Sequence, residues 1–372
     1  MKGSNASALT RPTRAPDRGV VGYSPDIEDD VFAFQRLAYP HRRADWIAPR
    51  WRWMFVDSAN RCEVRPCVWV HRSDRGVTAH QGAIPVKLWV SGKEWASAWF
   101  VETMVLEPFR GTSIGPAVIM KAVESLPFNL SLGQTPQMRE LQYRLGWRCV
   151  TPLKTMVMPL NPLRLAFAKS KYRMVAVGLA GVMRAASVLR RLSSVGCPQL
   201  ESSDVVRFDV RHDELWQSVQ SGYACAVVRD ASYLNWKYVD QPGQEFIRLD
   251  LRCGGRLRAL AVMSISDPDS VYSYRRAFIV DLVVPLGDRA ILVGVFKAIA
   301  RECRVRDVDA IVLQVSHPAV ERAAPVCGYL RRPPTRHLLV RPQHPDPGVA
   351  ANVMNGDGWF LTMGDSDIDR PW

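Results

Sequence analysis

Seven consecutive residues, Arg110, Gly111, Thr112, Ser113, Ile114, Gly115 and Pro116, stand between a strand-like apolar run and a helix-like one. Their types suit the holding of an anion. Proline fits the first turn of a helix, where its missing N–H has no carbonyl to meet. The other N–H groups of the loop and first turn point outward at the positive end of the helix dipole, a docking point for a pyrophosphate. Gly111 and Gly115 let the backbone approach a ligand without a Cβ in the way. Ser113 offers its N–H and a hydroxyl, but resists positive φ. Upstream, Glu102 sits among Phe, Val, Met and Leu on the strand that leads into this loop. Burial there would raise its pKa into the range of a general base; the alternative is a structural carboxylate held by an arginine or a backbone N–H. On a regular strand Glu102 shares a face with Met104. His80, between candidate strands, reads either as a cleft residue or as a hydrogen-bonded structural one. No metal site is expected. The eight cysteines are scattered without a CxxC pair, and Asp357, Asp365, Asp367 and Asp369 lack the glycine and terminal glutamate of a calcium loop. Those acids read as a solvated tail or a cap on a basic cleft.

The elements that must position these residues occur twice. Trp53-Met54-Phe55-Val56-Asp57 matches Trp236-Lys237-Tyr238-Val239-Asp240. Each is followed by alternating apolar runs broken by polar turns, the pattern of antiparallel strands. AWFVETMVLEP then aligns with AFIVDLVVPLG, which sets Glu102 opposite Asp281. A helical stretch, a strand and a second helix follow in both halves, with Pro136 to Gly146 matching Pro318 to Gly328. The common order predicts a duplicated α+β unit with a mixed sheet. The expected divisions are a flexible tail over 1–19, a first domain over 20–162, a basic helical connector over 163–200, a second domain over 201–345 and a tail over 346–372.

The stretch FVETMVLEPFRGTSIGPAVIMKAVE resembles motif A of the GNAT acyltransferases, in which a strand runs into a Q/R-x-x-G-x-G/A loop that opens a helix. Serine at 113 stands where that family has its middle glycine. The resemblance implies a tandem GNAT fold, of the kind found in bacterial cell-envelope and exopolysaccharide proteins. It also implies acyl-CoA, with acetyl-CoA foremost, bound by Val105, Leu106 and residues 110–116, and direct acyl transfer to an amine. Backbone N–H groups around Val105 and Leu106 would meet the oxyanion, and Glu102 would serve as base. The family's thiolate-protonating tyrosine has no counterpart in register: Gln142 holds its position, and Tyr143 lies one residue on. The second half reads LVVPLGDRAILVG after Asp281, without the loop glycines, and is expected to have lost coenzyme binding.

The formal charge of +13 is concentrated: from Leu141 to Leu200 there are ten Lys or Arg and no acid. Within this stretch MVAVGLAGVM is half the length needed to span a bilayer. It reads as a linker helix packed on the domains, or as a basic amphipathic helix, with 164–191 touching an anionic inner-membrane face. The N-terminal residues lack an apolar h-region, so a cytoplasmic protein is expected. The acceptor implied is a small or lipid-linked amine such as an amino sugar, with nucleic acid unlikely. Two alternatives stay open: a Fem-like transferase that uses aminoacyl-tRNA, and a non-catalytic acyl-CoA-binding scaffold.

Overall fold

The computed structural model describes residues 19–60, 67–169, 181 and 196–368. The first half runs β1 (Gly19–Gly22), α1 (Glu28–Ala38), α2 (Ala44–Phe55), β2 (Val68–Ser73), β3 (Gly76–Val90), β4 (Lys93–Val105), α3 (Ile114–Val123), β5 (Phe128–Ser131), α4 (Pro136–Arg144) and β6 (Arg148–Pro159). After α5 (Pro162–Lys169) the same order returns. It comprises β7 (Glu201–Asp204), α6 (Val210–Val219), α7 (Ala231–Tyr238), β9 (Ile247–Cys253), β10 (Arg256–Ser266), β11 (Arg276–Val283), α8 (Arg289–Val305), β12 (Ala310–Ser316), α9 (Pro318–Val326) and β13 (Leu330–Pro342). The short β8 (Cys225–Val227) is an addition before α7, and α10 (Pro347–Met354) and β14 (Trp359–Thr362) close the described chain.

All the strands join one sheet, ordered β1-β2-β3-β4-β5-β13-β6-β12-β11-β10-β9-β7, with β8 and β14 off this path. The order is symmetric about its centre, and there the halves exchange their last strands. β5 pairs antiparallel with β13, and β12 pairs antiparallel with β6. β6 and β13 in turn pair with each other. Neither half therefore completes its sheet alone.

The repeated tryptophans lie on this symmetry. Trp53 near the end of α2 and Trp236 on α7 stack with ring centroids 4.8 Å apart and planes 15° apart. Each indole N–H donates to the other's main-chain carbonyl, at 2.8 and 2.9 Å. Both rings are buried, so the reciprocal bonds satisfy polar groups that would otherwise be costly to bury. The two helices opening each half were not read from the sequence. Their apolar faces carry Val31, Phe34, Trp51 and Met54 in the first copy and Leu215, Trp216 and Leu234 in the second, all in the main core.

Candidate functional site

A wedge between β4 and β5 forms the site of the first half. The two strands pair in parallel at Ala98 with Asn129 and Trp99 with Leu130, and diverge beyond that point. A bulge accompanies the divergence. On β3, Gly82 faces Val101 and His80 faces Met104, so Glu102 and Thr103 together oppose Gln81. Glu102 takes φ +52° to do so, a conformation that costs a non-glycine residue roughly 1–2 kcal/mol. The regular alternation expected for Glu102 and Met104 is broken here. The divergence opens a cleft of about 700 Å³, with Thr103, Met104 and Val105 on one wall and Ser131, Gly133 and Thr135 on the other. Arg110, Gly111 and Gly115 lie at its end.

The loop departs from the sequence reading in its details. Helix α3 begins at Ile114 rather than near Pro116, which places Pro116 third in the first turn. Ser113 is the N-cap residue at φ −72°, and the positive φ, +76°, falls on Gly111. The serine therefore meets no backbone demand that it resists, and its N–H stands at the exposed helix start. Gly115 serves the packing of helix on strand, since a Cβ there would lie 3.3 Å from Val105 Cγ2. Thr112 Oγ1 accepts from the Ile114 N–H at 3.3 Å and donates to the Phe109 carbonyl at 2.7 Å, which shapes the turn. Arg110 folds back and donates from Nε to the Val105 carbonyl at 3.0 Å.

Leu106 does not offer the donor expected of it, because its N–H is spent on the Thr78 carbonyl at 3.0 Å. By the alternation of an antiparallel ladder, the Val105 N–H then points away from β3 and into the wedge.

Glu102 is likewise not the raised-pKa base expected. Its side chain is 2% exposed and bound to Arg42 Nη1 at 2.7 Å, with Gln35 Nε2 donating at 3.2 Å. Burial pushes the carboxyl up, but the Arg42 and Arg50 guanidiniums outweigh it and hold the group below its ordinary value. Arg42 is itself fixed over the Tyr39 ring, 3.7 Å from the centroid. His80 does not line the cleft. It is fully buried, donates from Nδ1 to the Glu102 carbonyl at 2.9 Å and accepts from Trp51 Nε1 at 3.1 Å. A carbonyl can only accept and an indole N–H can only donate, so the imidazole is a neutral Nδ1–H tautomer. Burial lowers its pKa in keeping with that state. His80 thus pins the bulge from outside the cleft.

On α4, capped by the Thr135 hydroxyl, Gln142 faces inward and donates to Ser131 Oγ at 2.9 Å. Tyr143 points outward, 42% exposed, and does not line the cleft. Asp367, one of the C-terminal acids read as a solvated tail or a cap on a basic cleft, reaches the cleft rim from the C-terminal segment.

The second half has the same wedge, filled by its own chain. β11 and β12 pair in parallel over Arg276–Ile279 and Ala310–Leu313, and past that point β14 pairs with β12 at Val315 and Ser316. The Gly364 N–H donates to the Val280 carbonyl at 2.6 Å, and a Cβ on Gly364 would stand 2.0 Å from Tyr238 Oη. Asp281, opposite Glu102 in the repeat, accepts from Arg229 Nε at 2.9 Å, Tyr238 Oη at 2.7 Å and Thr362 Oγ1 at 2.8 Å. Arg229 also holds Asp365 at 2.9 Å. Of the C-terminal acids, Asp365 therefore is not part of a solvated tail, since it is fully buried, whereas Asp357 is exposed as expected.

Most of the basic stretch 164–191 lies outside the described residues, and so does Asp369. Among the described residues no helix is long and apolar enough to cross a membrane, and no three His, Cys, Asp or Glu side chains are grouped to hold a metal.

At the level of sequence, no family model and no curated protein matches the chain. Solved structures do match in shape. A GCN5-related N-acetyltransferase from Anabaena variabilis superposes with a TM-score of 0.61 at 11% identity, over 87% of this chain and 72% of that one. A GCN5-related N-acetyltransferase from Kribbella flavida gives 0.56 at 14% identity, over 87% and 70%. The Saccharomyces cerevisiae N-myristoyltransferase, solved with bound myristoyl-CoA, gives 0.53 at 10% identity, over 90% and 85%. The fold of this chain is thus the GNAT fold of these acyltransferases, laid out twice within one sheet.

Proposed function

We propose that the chain is an acyl-CoA-dependent N-acyltransferase whose donor lies in the wedge of the first half. The carrying observation is the contrast between the two wedges. The first is a cleft that ends at a helix N-terminus, while β14 and Gly364 fill the second. In this reading the pantetheine arm runs along β4, and the pyrophosphate meets the N–H groups of residues 111–115. The neutral amine attacks the thioester carbonyl, with the Val105 N–H directed at the developing oxyanion. The N–C bond forms as the C–S bond breaks. The amine's surplus proton passes to water, and the thiolate takes one from water, since Tyr143 is outside the cleft. Glu102 holds Arg42 and the bulge in place.

The finer reading takes acetyl as the acyl group and the amine of an amino sugar or another cell-envelope precursor as acceptor. Contact of 164–191 with an anionic inner-membrane surface belongs to the same proposal. Calorimetric titration with acetyl-CoA, together with mass spectrometry of co-purifying ligand, tests the donor. Binding of acetyl-CoA in the micromolar range supports the proposal; bound tRNA, or no affinity for any acyl-CoA, refutes it.

A further inference from the structure

A second cavity adjoins the cleft. It measures about 240 Å³, lies between α1 and α2, and shares Arg42 and Glu102 with the cleft as a common wall. Trp46, Ile47 and Met54 supply its apolar lining. The Trp46 ring is backed by the second half, since a Cβ on Gly243 would meet it at 2.8 Å.

The charge of this cavity is unbalanced. Arg42, Arg43 and Arg50 line it against the single carboxylate of Glu102. Arg42 is neutralised by Glu102 and Arg43 by Asp45. Arg50 makes no ion-pair contact with the described residues; it acts only through space on the Glu102 carboxylate, which is already bound to Arg42. It is 7% exposed and lines the cavity, and its Nη1 has no hydrogen-bond partner. One carboxylate thus serves two guanidiniums, and an anion seated in the cavity would complete the pairing.

We infer that this cavity seats the acceptor, and that the acceptor is an amine carrying a carboxylate which Arg50 binds. The inference rests on the acyltransferase reading for the acceptor's role. It narrows the class to an amino acid or an amino-sugar acid whose bound part is small, because the cavity falls below the roughly 300–1,000 Å³ of pockets for drug-sized ligands. With its carboxylate at Arg50, the molecule lies against Trp46 and turns its amine toward the wall shared with the thioester cleft. Glu102 is already committed to Arg42, so the proton of the bound amine leaves to water, as in the transfer step proposed above.

The test uses saturation-transfer NMR on the full chain, with the twenty L-amino acids, their carboxamides and glucosamine as probes. At least one amino acid is expected to bind tenfold or more tightly than its carboxamide. Arg50→Met should abolish that preference, and Arg50→Lys should restore part of it, with melting temperatures confirming that both variants fold. Equal binding of acids and amides, tighter binding of glucosamine, no carboxylate-dependent binding at all, or an unchanged preference in Arg50→Met each overturns the inference. A parallel acetyl-CoA titration of the same samples reads the donor site independently. Its failure, together with no affinity for any other acyl-CoA, would overturn the proposed function, whereas intact acyl-CoA binding without carboxylate preference overturns only the acceptor assignment.

Discussion

Placing an aspartate at position 113 separates the stability of the donor loop from its proposed use. Ser113 precedes α3 with φ −72° and ψ −5° and makes no side-chain cap bond. Those angles are helical rather than the extended ones from which an N-cap side chain reaches back into the first turn. Ser113→Asp therefore gains mainly the interaction of a negative charge with the helix dipole, about 0.3–1 kcal/mol. The ligand-free protein should melt at the same temperature or about 1 °C higher. The same carboxylate would face the pyrophosphate. A pair of unit charges at 4 Å is worth about 1 kcal/mol in bulk water and about 4 kcal/mol near a protein surface. Position 113 is exposed, so a value of about 1–2 kcal/mol is appropriate, a roughly five- to thirtyfold loss of acetyl-CoA affinity. Calorimetry measures that loss, and it should shrink as salt is raised. Ser113→Asn, which keeps the shape without the charge, should bind nearly as the parent does. Undiminished affinity in Ser113→Asp, with the fold intact, would refute pyrophosphate binding at this loop.

Glu102→Gln should destabilise the fold by about 3–5 kcal/mol near neutral pH, because it leaves Arg42 with an uncompensated charge. The folded-state pKa of Glu102 lies below the ordinary 4.5, so its contribution is complete above that value and lost as pH falls through the lower folded value. The gap between parent and variant in denaturant titrations should therefore close under acid, and a gap that instead closes toward alkaline pH would contradict the assignment. For the symmetric pair, Trp53→Ala and Trp236→Ala should each cost about 3–5 kcal/mol. Their double-mutant cycle should show about 1–3 kcal/mol of coupling; additive effects would mean that the stack and its reciprocal bonds do not act as a unit.

The sequence by itself determined the duplication, the class of fold and the place of the loop. These rest on local patterns: strand alternation, the glycine and proline positions around 111–116, and a tryptophan element that recurs because both copies bury it. What it could not decide depended on contacts between distant residues. Glu102 read as a base because its strand is apolar, yet Arg42 and Arg50, 60 and 52 positions earlier in the chain, reverse the direction of its pKa shift. His80 belongs to the bulge because Trp51 and the Glu102 carbonyl take both ring nitrogens. The Leu106 N–H was lost to Thr78 through strand register, which no pattern of residue types records. The exchange of β6 and β13, and the filling of the second wedge by β14, bring together segments whose sequences carry no mark of one another. Local propensity and periodicity select an element and its buried face; which wedge stays a cleft, and which charge is left without a partner, is settled by how the elements pack.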